Sequence, residues 1–330
     1  MVEKRIIENS RVLVTGGAGF IGSNLVEDLL NQNNEVVCLD NLETGKYENI
    51  RPFENNKQFN FIEGDIRDLE ICKKAVDCVD YVLNQAALGS VPRSIKDPVR
   101  TNSNNVDGFL NMILAAKEAK VKRFVFASSS SVYGDNYTLP KEEDKIGKPL
   151  SPYAVSKYTN ELYAHVFGGL FEMETIGLRY FNVFGKRQDP YGAYAAVIPK
   201  FIKAMLEGES PIINGDGSQS RDFTYIKNVI QVNQLAAVTQ NQEALNTIYN
   251  VAVGEESTLL ELYRILQELL SASTPEVMNI NPVHGPEREG DIPRSLASIE
   301  KAATLLGYNP TYNLRQGLEE TIDWYCSELK

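Results

Sequence analysis

The sequence predicts an α/β fold, in which a doubly wound parallel sheet is followed by a smaller C-terminal α/β domain. Two observations support this prediction. Strand-like apolar segments and helix-like segments alternate through the first half of the 330-residue chain, as they do where βαβ crossovers build a parallel sheet. A cluster of glycines also lies directly between the first strand-like and the first helix-like segment, which is where such folds place a ligand.

The predicted elements follow this alternation. The strand-like segments are Arg11–Thr15, Glu35–Asp40, Phe59–Glu63, Asp80–Asn84, Arg123–Ser128 and Glu174–Arg179. The clearest helical segments are Ile21–Asn31, Asn105–Ala119, Tyr153–Phe167, Val197–Glu207, Leu259–Leu270 and Leu314–Glu328. Because the alternation weakens after Tyr180, we expect one domain over residues 1–180 and a smaller one mainly over residues 181–330, with residues 222–253 returning to the first.

The composition narrows the class of protein. A formal net charge of −11 argues against sequence-independent binding to nucleic acid or to an anionic membrane. No apolar run approaches the roughly 18 to 20 residues that span a bilayer. The four cysteines have no Cys-x-x-Cys spacing and the chain has two histidines, so we expect no metal site. Reduced thiols and the absence of a signal peptide predict a cytoplasmic protein.

The glycine cluster predicts a dinucleotide site. Gly17, Gly19 and Gly22 satisfy G-x-G-x-x-G, and Gly16 gives the alternative spacing G-x-x-G-x-x-G. Glycines let the backbone turn sharply and approach a pyrophosphate at the N-terminus of the next helix, although a tight turn without a ligand is the alternative. Asp40 ends the second strand about 20 residues later, where its carboxylate can accept from a ribose 2′-hydroxyl and repels a 2′-phosphate. The pattern favours a Rossmann-type domain that binds NAD rather than NADP.

Two further segments carry candidate catalytic groups. An apolar strand-like run ends in four consecutive serines, Ser128 to Ser131, which suit a hydroxylated ligand better than a core. Further on, Tyr153 and Lys157 are four residues apart and share one face of the predicted helix. A tyrosine, with its usual pKa of about 10, is a better base near neutrality when an ammonium and a positively charged nicotinamide favour its phenolate. We therefore expect Lys157 to lower the pKa of Tyr153.

Together these motifs resemble the extended short-chain dehydrogenase/reductase superfamily and, within it, the nucleotide-sugar 4-epimerases. The resemblance extends from Val12 to Trp324. It rests on Thr15-Gly16-Gly17-Ala18-Gly19-Phe20-Ile21-Gly22-Ser23, Asp40-Asn41, Gly64-Asp65-Ile66, Gln85-Ala86-Ala87, Asn104-Asn105-Val106, Ser151-Pro152-Tyr153 with Lys157, and Leu178-Arg179-Tyr180-Phe181-Asn182-Val183-Phe184-Gly185.

The resemblance implies an NAD site and assigns its residues by position. The residues implied to contact the cofactor are Gly16, Gly19, Phe20 and Ile21 at the pyrophosphate, Asp40, Asn41 and Gly45 at the adenosine ribose, Asp65 and Ile66 at the adenine, Gln85, Ala87 and Asn105 on the nicotinamide side, and Tyr153, Lys157, Tyr180 and Val183. Ser129 lies 24 residues before Tyr153 and matches the catalytic serine. Ser129, Tyr153 and Lys157 are thus the implied catalytic residues.

The reaction implied by the resemblance is an inversion at the sugar 4-position. Tyr153, helped by Ser129, removes the proton of the 4-hydroxyl while NAD takes the hydride, and the 4-keto sugar turns over before both return. Planar guanidinium groups suit the diphosphate of the substrate. The residues implied to bind the UDP-sugar are Gly89, Ser90, Ser129, Ser130, Ser131, Asn182, Gln188, Ala196, Val197, Arg221, Arg288, Asp291 and Ser295.

Two segments narrow the choice of sugar. Residues 86–94 and 185–199 are similar to a bacterial subgroup that acts on UDP-N-acetylglucosamine or its uronate during surface-polysaccharide synthesis. Ser295 stands where epimerases restricted to unacetylated sugars tend to have tyrosine, so it leaves room for an acetamido group; a surface loop serine is the alternative. Asn84 departs from the subgroup, which usually has histidine there. We expect interconversion of UDP-GlcNAc and UDP-GalNAc, with the UDP-GlcNAcA/UDP-GalNAcA pair or UDP-glucose as alternatives.

Other activities in the superfamily match the sequence less well. Dehydratases typically have an Asp-Glu pair where this chain has Ser130-Ser131, and UDP-glucuronate decarboxylases usually have Glu where it has Val132. Non-catalytic NAD-binding relatives commonly lose the catalytic residues, which are intact here, while net oxidation or reduction with an exchangeable cofactor stays open. Relatives are usually dimers packed through paired helices, here Asn105–Ala119 and Tyr153–Phe167, so we expect a homodimer.

Overall fold

The described part of the chain is a parallel sheet with helices on both faces and a second, smaller layer. A computed structural model describes residues 6–191, 195–286 and 293–329. The strands in these ranges are β1 (Arg11–Thr15), β2 (Glu35–Asp40), β3 (Phe59–Glu63), β4 (Tyr81–Asn84), β5 (Arg123–Ser129), β6 (Thr175–Tyr180), β7 (Val183–Phe184), β8 (Ile212–Asn214), β9 (Ser220–Arg221), β10 (Thr224–Tyr225), β11 (Thr247–Val251), β12 (Ser257–Thr258), β13 (Val283–Gly285) and β14 (Arg294–Ser295). The α-helices are α1 (Phe20–Asn31), α2 (Leu69–Ala75), α3 (Val91–Lys96), α4 (Pro98–Asn102), α5 (Gly108–Glu118), α6 (Pro152–Phe171), α7 (Val197–Leu206), α8 (Ile226–Val238), α9 (Leu259–Ser271), α10 (Glu300–Leu306) and α11 (Leu314–Glu328).

Seven of the described strands form the main sheet. Their order is β11-β6-β5-β4-β1-β2-β3, and every neighbouring pair is parallel. The direction of winding reverses between β1 and β4, which makes a crevice at the carboxyl ends of those strands. The segments that follow β1, β2, β4, β5 and β6 therefore meet at one edge. The predicted doubly wound α/β fold is confirmed.

Apolar side chains alternate between the two faces of this sheet. On β1, Val12 and Val14 belong to one buried cluster, while Leu13 between them belongs to the other. The first cluster includes the inward faces of α1 and α8, and the second includes those of α2, α5 and α6. Because both faces are buried against helices, ligands have access to this sheet at its edge.

The C-terminal half adds helices and short strands. Helices α7, α9 and α11 pack against one another. The short strands pair as β8 with β13, β7 with β10, and β12-β9-β14. The apolar cluster beneath α1 and α8 continues into this layer through side chains such as Phe201, Leu266 and Leu318, while β11 lies in the main sheet beside β6.

The observed elements differ from the predicted ones mainly at their ends. Strand β4 begins at Tyr81 because the Asp80 carboxylate accepts from the backbone N–H of Arg11 at 2.9 Å and pairs with Lys122 at 2.8 Å. The predicted helix from Asn105 begins instead with a π-helical turn, Ser103–Asp107, that leads into α5. Helix α6 is longer than predicted and is capped by the Ser151 hydroxyl. Among the described residues, no helix combines the length and apolar character needed to cross a membrane.

Candidate active site

The turn between β1 and α1 lines a cleft at the carboxyl edge of the sheet. Gly16 has a φ of +64°, and a Cβ on it would lie 2.9 Å from the Cα and N atoms of Ala86. A Cβ on Gly22 would lie 2.1 Å from the carbonyl oxygen of Gly16. The turn passes close to the loop after β4, and side chains do not fit at these two positions. Gly19, Phe20 and Ile21 then line the cleft at the start of α1.

The cleft consists of two adjoining chambers. The larger has a volume of about 470 Å³ and lies among the glycine turn, the end of β2 and the loop after β4. The smaller, of about 230 Å³, lies at the ends of β5 and β6. Ile21, Gln85, Ala87 and Gly89 line both chambers, so the two form one elongated groove.

Asp40 and Asn41 border the larger chamber at the end of β2. The Asp40 carboxylate accepts from the backbone N–H groups of Ala18 at 3.0 Å and Leu42 at 2.8 Å. Burial raises the pKa of Asp40, although these N–H donors oppose that rise. A Cβ on Gly45 would lie 2.8 Å from both Asp40 carboxylate oxygens, so glycine there leaves this acid uncrowded.

Asp65 and Ile66 differ in how they meet the larger chamber. Ile66 lines it, whereas the Asp65 carboxylate is engaged by its neighbours. It accepts from Asn41 Nδ2 at 2.8 Å and forms an ion pair with Arg67 at 2.6 Å. The hydrogen bond from Arg67 is the largest influence on the pKa of Asp65, which falls to about 2. Asp65 thereby fixes the orientation of Asn41.

A buried hydrogen-bond network joins the two chambers. The Tyr180 hydroxyl donates to Gln85 Oε1 at 3.0 Å and accepts from Asn233 Nδ2 at 2.9 Å, and Gln85 Nε2 donates to Asn233 Oδ1 at 3.2 Å. Burial raises the pKa of Tyr180 to about 12, so this phenol remains neutral. Asn105 is buried and accepts from the Leu88 backbone N–H at 2.7 Å. Its neighbour Asn104 lines the larger chamber.

The three predicted catalytic residues meet in the smaller chamber. Ser129 ends β5, while Tyr153 and Lys157 lie in the first two turns of α6. The Ser129 hydroxyl lies near the Tyr153 phenol and favours its phenolate. Lys157 Nζ donates to the carbonyl oxygen of Ala127 at 2.8 Å, and the Ser131 hydroxyl donates to Ser129 Oγ at 3.0 Å. A phenol, two serine hydroxyls and a lysine side chain therefore face one space.

The pKa values of this group differ from our expectation. Burial raises the pKa of Tyr153, and the nearby Ser129 hydroxyl offsets only part of that rise. The expected lowering by Lys157 is not seen. The free-energy cost of removing a phenolate from water exceeds the stabilisation that its surroundings in the protein provide. Burial also lowers the pKa of Lys157 to about 8, while the nearby Glu161 carboxylate opposes this change.

The residues predicted to bind the sugar nucleotide lie in several parts of the structure. Gly89, Gln188, Ala196 and Asn182 line the chambers, with Gln188 held by Val183 and Tyr325. Ser90 caps α3, Ser130 and Ser131 form the turn after β5, and Val197 begins α7. Arg221 and Ser295 are register partners on β9 and β14. Arg288 and Asp291 lie outside the described residues.

Several side chains that line the larger chamber were not predicted. They are Thr44, Lys46, Asn49, Asn104, Arg187 and Asp189. Lys46 forms an ion pair with Asp189 at 2.9 Å, and Arg187 donates to Glu27 of α1 at 2.7 Å. These contacts join residues more than 140 positions apart. No local pattern in the sequence indicates them.

Comparisons with known proteins place the chain in a family. Residues 12–252 match the NAD dependent epimerase/dehydratase family. UDP-glucose 4-epimerase of Mycolicibacterium smegmatis is 34% identical over 317 residues, which are 96% of this chain and 98% of that protein. The chain therefore belongs to the NAD dependent epimerase/dehydratase family.

Solved structures in this family share both the fold and the chain length. UDP-N-acetylglucosamine 4-epimerase from Methanobrevibacter ruminantium, in complex with UDP-N-acetylmuramic acid, is 41% identical, with a TM-score of 0.90 and coverage of 98% of this chain and 100% of that one. UDP-glucuronic acid 4-epimerase from Bacillus cereus, in complex with UDP-glucuronic acid and NAD, is 34% identical, with a TM-score of 0.86 and coverage of 96% and 99%. These comparisons support a nucleotide-sugar 4-epimerase.

The cleft suits the cofactor of the family. A Cβ at Gly16 or Gly22 would collide with backbone atoms, so the turn presents bare backbone where a pyrophosphate can approach the N-terminus of α1. An acid, Asp40, borders the same chamber at the end of β2. The residues present therefore fit NAD.

Proposed function

We propose that this protein interconverts UDP-N-acetylhexosamines by inversion at the sugar 4-position, with UDP-GlcNAc and UDP-GalNAc as the main pair. The observation that carries the proposal is that Ser129, Tyr153 and Lys157 line one chamber, which adjoins the dinucleotide cleft. The surface-polysaccharide role implied by the sequence resemblance forms part of the proposal.

The roles proposed for the cleft follow from its two chambers. In the larger, Gly16, Gly19, Phe20 and Ile21 would hold the pyrophosphate of NAD and Asp40 its adenosine ribose. In the smaller, Lys157 would reach the nicotinamide ribose. NAD, when bound there, supplies a reversible acceptor for the hydride at the sugar 4-position.

The chain's own residues then handle the proton. Tyr153 takes the proton of the sugar 4-hydroxyl, and Ser129 hydrogen-bonds both the phenol and the sugar oxygen. Burial keeps the pKa of Tyr153 high in the protein alone, so its phenolate, once formed, is a strong acceptor for this proton. The Lys157 ammonium stabilises the phenolate before it takes the proton and again after the proton has returned to the inverted 4-position. Because the same residue gives back what it removes, no net acid or base is consumed.

The sugar preference rests on Ser295 and its surroundings. Ser295 is the register partner of Arg221, the residue proposed for the substrate diphosphate, and its proposed role is to leave room for the acetamido group. Similarity to an enzyme that acts on UDP-N-acetylglucosamine also supports an acetylated substrate. Similarity to UDP-glucose and UDP-glucuronic acid 4-epimerases makes those sugars, and the uronate of UDP-GlcNAc, the alternatives.

We also propose a homodimer built on α6. Val155, Leu162, Val166 and Leu170 are exposed and recur on one face of this helix at helical spacing. Val99, on the adjacent α4, is also exposed. A contiguous apolar face of this kind favours association with a second copy of the chain.

The test is a comparison of substrates. Purified protein is incubated without added NAD, separately with UDP-GlcNAc, UDP-GlcNAcA and UDP-glucose, and the 4-epimers are resolved by chromatography. Faster conversion of UDP-GlcNAc than of the other two supports the proposal. Faster conversion of the uronate or of UDP-glucose replaces the main substrate, and no conversion of any sugar, even with NAD supplied, contradicts the proposed activity.

A further inference from the structure

A buried ion pair lies directly behind the candidate catalytic residues. Arg179 on β6 donates from Nε and Nη2 to the two carboxylate oxygens of Glu161 on α6, at 2.9 and 2.8 Å. Each side chain is 4% exposed. Arg179 also donates to the carbonyl oxygen of Glu143 at 2.8 Å, and its guanidinium lies 4.9 Å from the ring centroid of Tyr133. The pair is thus fully enclosed and held on several sides.

This pair is connected to the catalytic residues through two neighbouring contacts. The Ser128 hydroxyl donates to the Glu161 carboxylate, and Ser128 immediately precedes Ser129 on β5. One turn earlier on α6, Lys157 donates to the carbonyl oxygen of Ala127. Strand β5 and helix α6 are therefore joined at two successive positions of the strand, Ala127 and Ser128, which lead directly to Ser129.

An enclosed ion pair is a costly way to obtain stability alone. Apolar side chains of similar volume often stabilise a fold as well or better, because two charges no longer have to leave water. The Glu161 carboxylate has a second effect, since it favours the charged form of Lys157 against the burial that disfavours it. The other titratable or charged groups around Glu161 and Lys157 are Arg179, Tyr133 and Glu143, and Tyr153 shares the helix.

We propose that Glu161, oriented by Arg179, is a positioning residue that keeps Lys157 protonated and fixes the end of β5 at Ser129. This inference rests on the proposed function, because it assumes that Lys157 acts as an ammonium. It assigns no contact between Glu161 and the sugar. Without the carboxylate, Lys157 loses a neighbouring charge that favours its protonation.

The direct test measures the protonation of Lys157 without turnover. The full-length protein is prepared with ¹³C-labelled lysine, the Lys157 signal is assigned by its loss in Lys157→Met, and its pH titration is followed by NMR. In Glu161→Gln we expect the pKa of Lys157 to fall by about one pH unit or more. An unchanged pKa in folded Glu161→Gln would overturn the proposal.

Glu174→Gln is the matched control. Glu174 pairs with Arg123 at 2.6 Å at the opposite end of β5, and that arginine is 7% exposed. The control therefore also leaves a buried guanidinium without its carboxylate, but far from the chamber. It should leave the pKa of Lys157 unchanged; an equal shift in both variants would mean a general loosening and would also overturn the proposal.

Activity gives a second, separable readout. The high-pH limb of the kcat profile should move to lower pH in Glu161→Gln, because Lys157 loses its proton earlier. Ser128→Ala keeps the ion pair and removes one hydrogen bond, so we expect kcat to fall about 10- to 100-fold, with KM and the Lys157 pKa unchanged. Wild-type kcat in Ser128→Ala would contradict the positioning role even if Glu161→Gln does not fold. Wild-type protein that converts no UDP-sugar would contradict the proposed function, whereas the NMR titration would still test the coupling.

Discussion

At the scale of single residues, the chemistry of the site depends on burial as much as on which side chains are present. Ser129, Tyr153 and Lys157 could be selected from the sequence because their spacing is characteristic. The pKa directions could not, since they follow from enclosure by strands that are distant in the chain. Burial raises the pKa of Tyr153 and lowers that of Lys157 to about 8, so two groups with similar ordinary pKa values move apart in proton affinity.

Tyr153→Phe tests the proposed proton acceptor. The substitution removes one hydroxyl and leaves the ring in place, so the protein should fold and retain NAD. We expect kcat for UDP-GlcNAc to fall by about 100- to 10,000-fold, measured by chromatography of the epimers. Bound NAD, read from absorbance after denaturation, is the control. Activity near that of the wild type would exclude Tyr153 as the base.

Ser295→Tyr tests the proposed control of sugar size. A tyrosine at this position on β14 adds a bulky ring opposite Arg221 and should exclude an acetamido group more than a hydroxyl. We expect kcat/KM for UDP-GlcNAc to fall at least about tenfold more than that for UDP-glucose, with Ser295→Ala as the control for loss of the hydroxyl. Equal loss on both sugars would show that Ser295 does not select between them.

At the scale of elements, the turn from β1 into α1 is the best example of structure that could be predicted from local sequence. The glycines are required by distances within the turn and to Ala86, so their spacing alone indicates the geometry. The network of Gln85, Tyr180 and Asn233 is the opposite case. Gln85 and Asn233 are 148 positions apart, and an asparagine within an amphipathic helix such as α8 gives no local signal of a partner.

Gly22→Ala tests the requirement for bare backbone in this turn. The added Cβ would lie 2.1 Å from the Gly16 carbonyl oxygen, so we expect a loss of about 1–3 kcal/mol in the free energy of unfolding and weaker retention of NAD. Gly169→Ala is the control, because its Cβ on α6 would meet nothing within 4 Å and should stabilise by about 0.5–1 kcal/mol. Urea denaturation measures both. Unchanged stability and NAD content in Gly22→Ala would contradict this reading of the turn.

At the scale of the whole molecule, the main sheet could be predicted from the sequence, whereas the positions of the loops that complete the site could not. Each strand of the first half has an apolar run of its own, so its position follows from local periodicity. The loop with Arg187 and Asp189 is placed by ion pairs to Glu27 and Lys46, which no periodicity encodes. The exposed apolar face of α6 likewise becomes visible only when burial by the rest of the fold is known.

Leu162→Glu tests the proposed dimer. A carboxylate in the middle of the α6 face should oppose its burial against a second copy, so we expect the mass in analytical ultracentrifugation to change from dimer to monomer. Ile212→Glu, at an exposed apolar side chain on β8, is the control and should remain dimeric. A monomeric wild-type protein, or a dimeric Leu162→Glu, would contradict the proposed interface.

The central claim is that this chain inverts the sugar 4-position by removing and returning the same hydrogen. The most direct measurement uses UDP-GlcNAc carrying deuterium at carbon 4, incubated with the purified protein in ordinary water without added NAD. We predict UDP-GalNAc that retains the deuterium at carbon 4, as seen by mass spectrometry and NMR. A product that has lost the deuterium to solvent, or a dehydrated or decarboxylated product in place of the 4-epimer, would contradict the account.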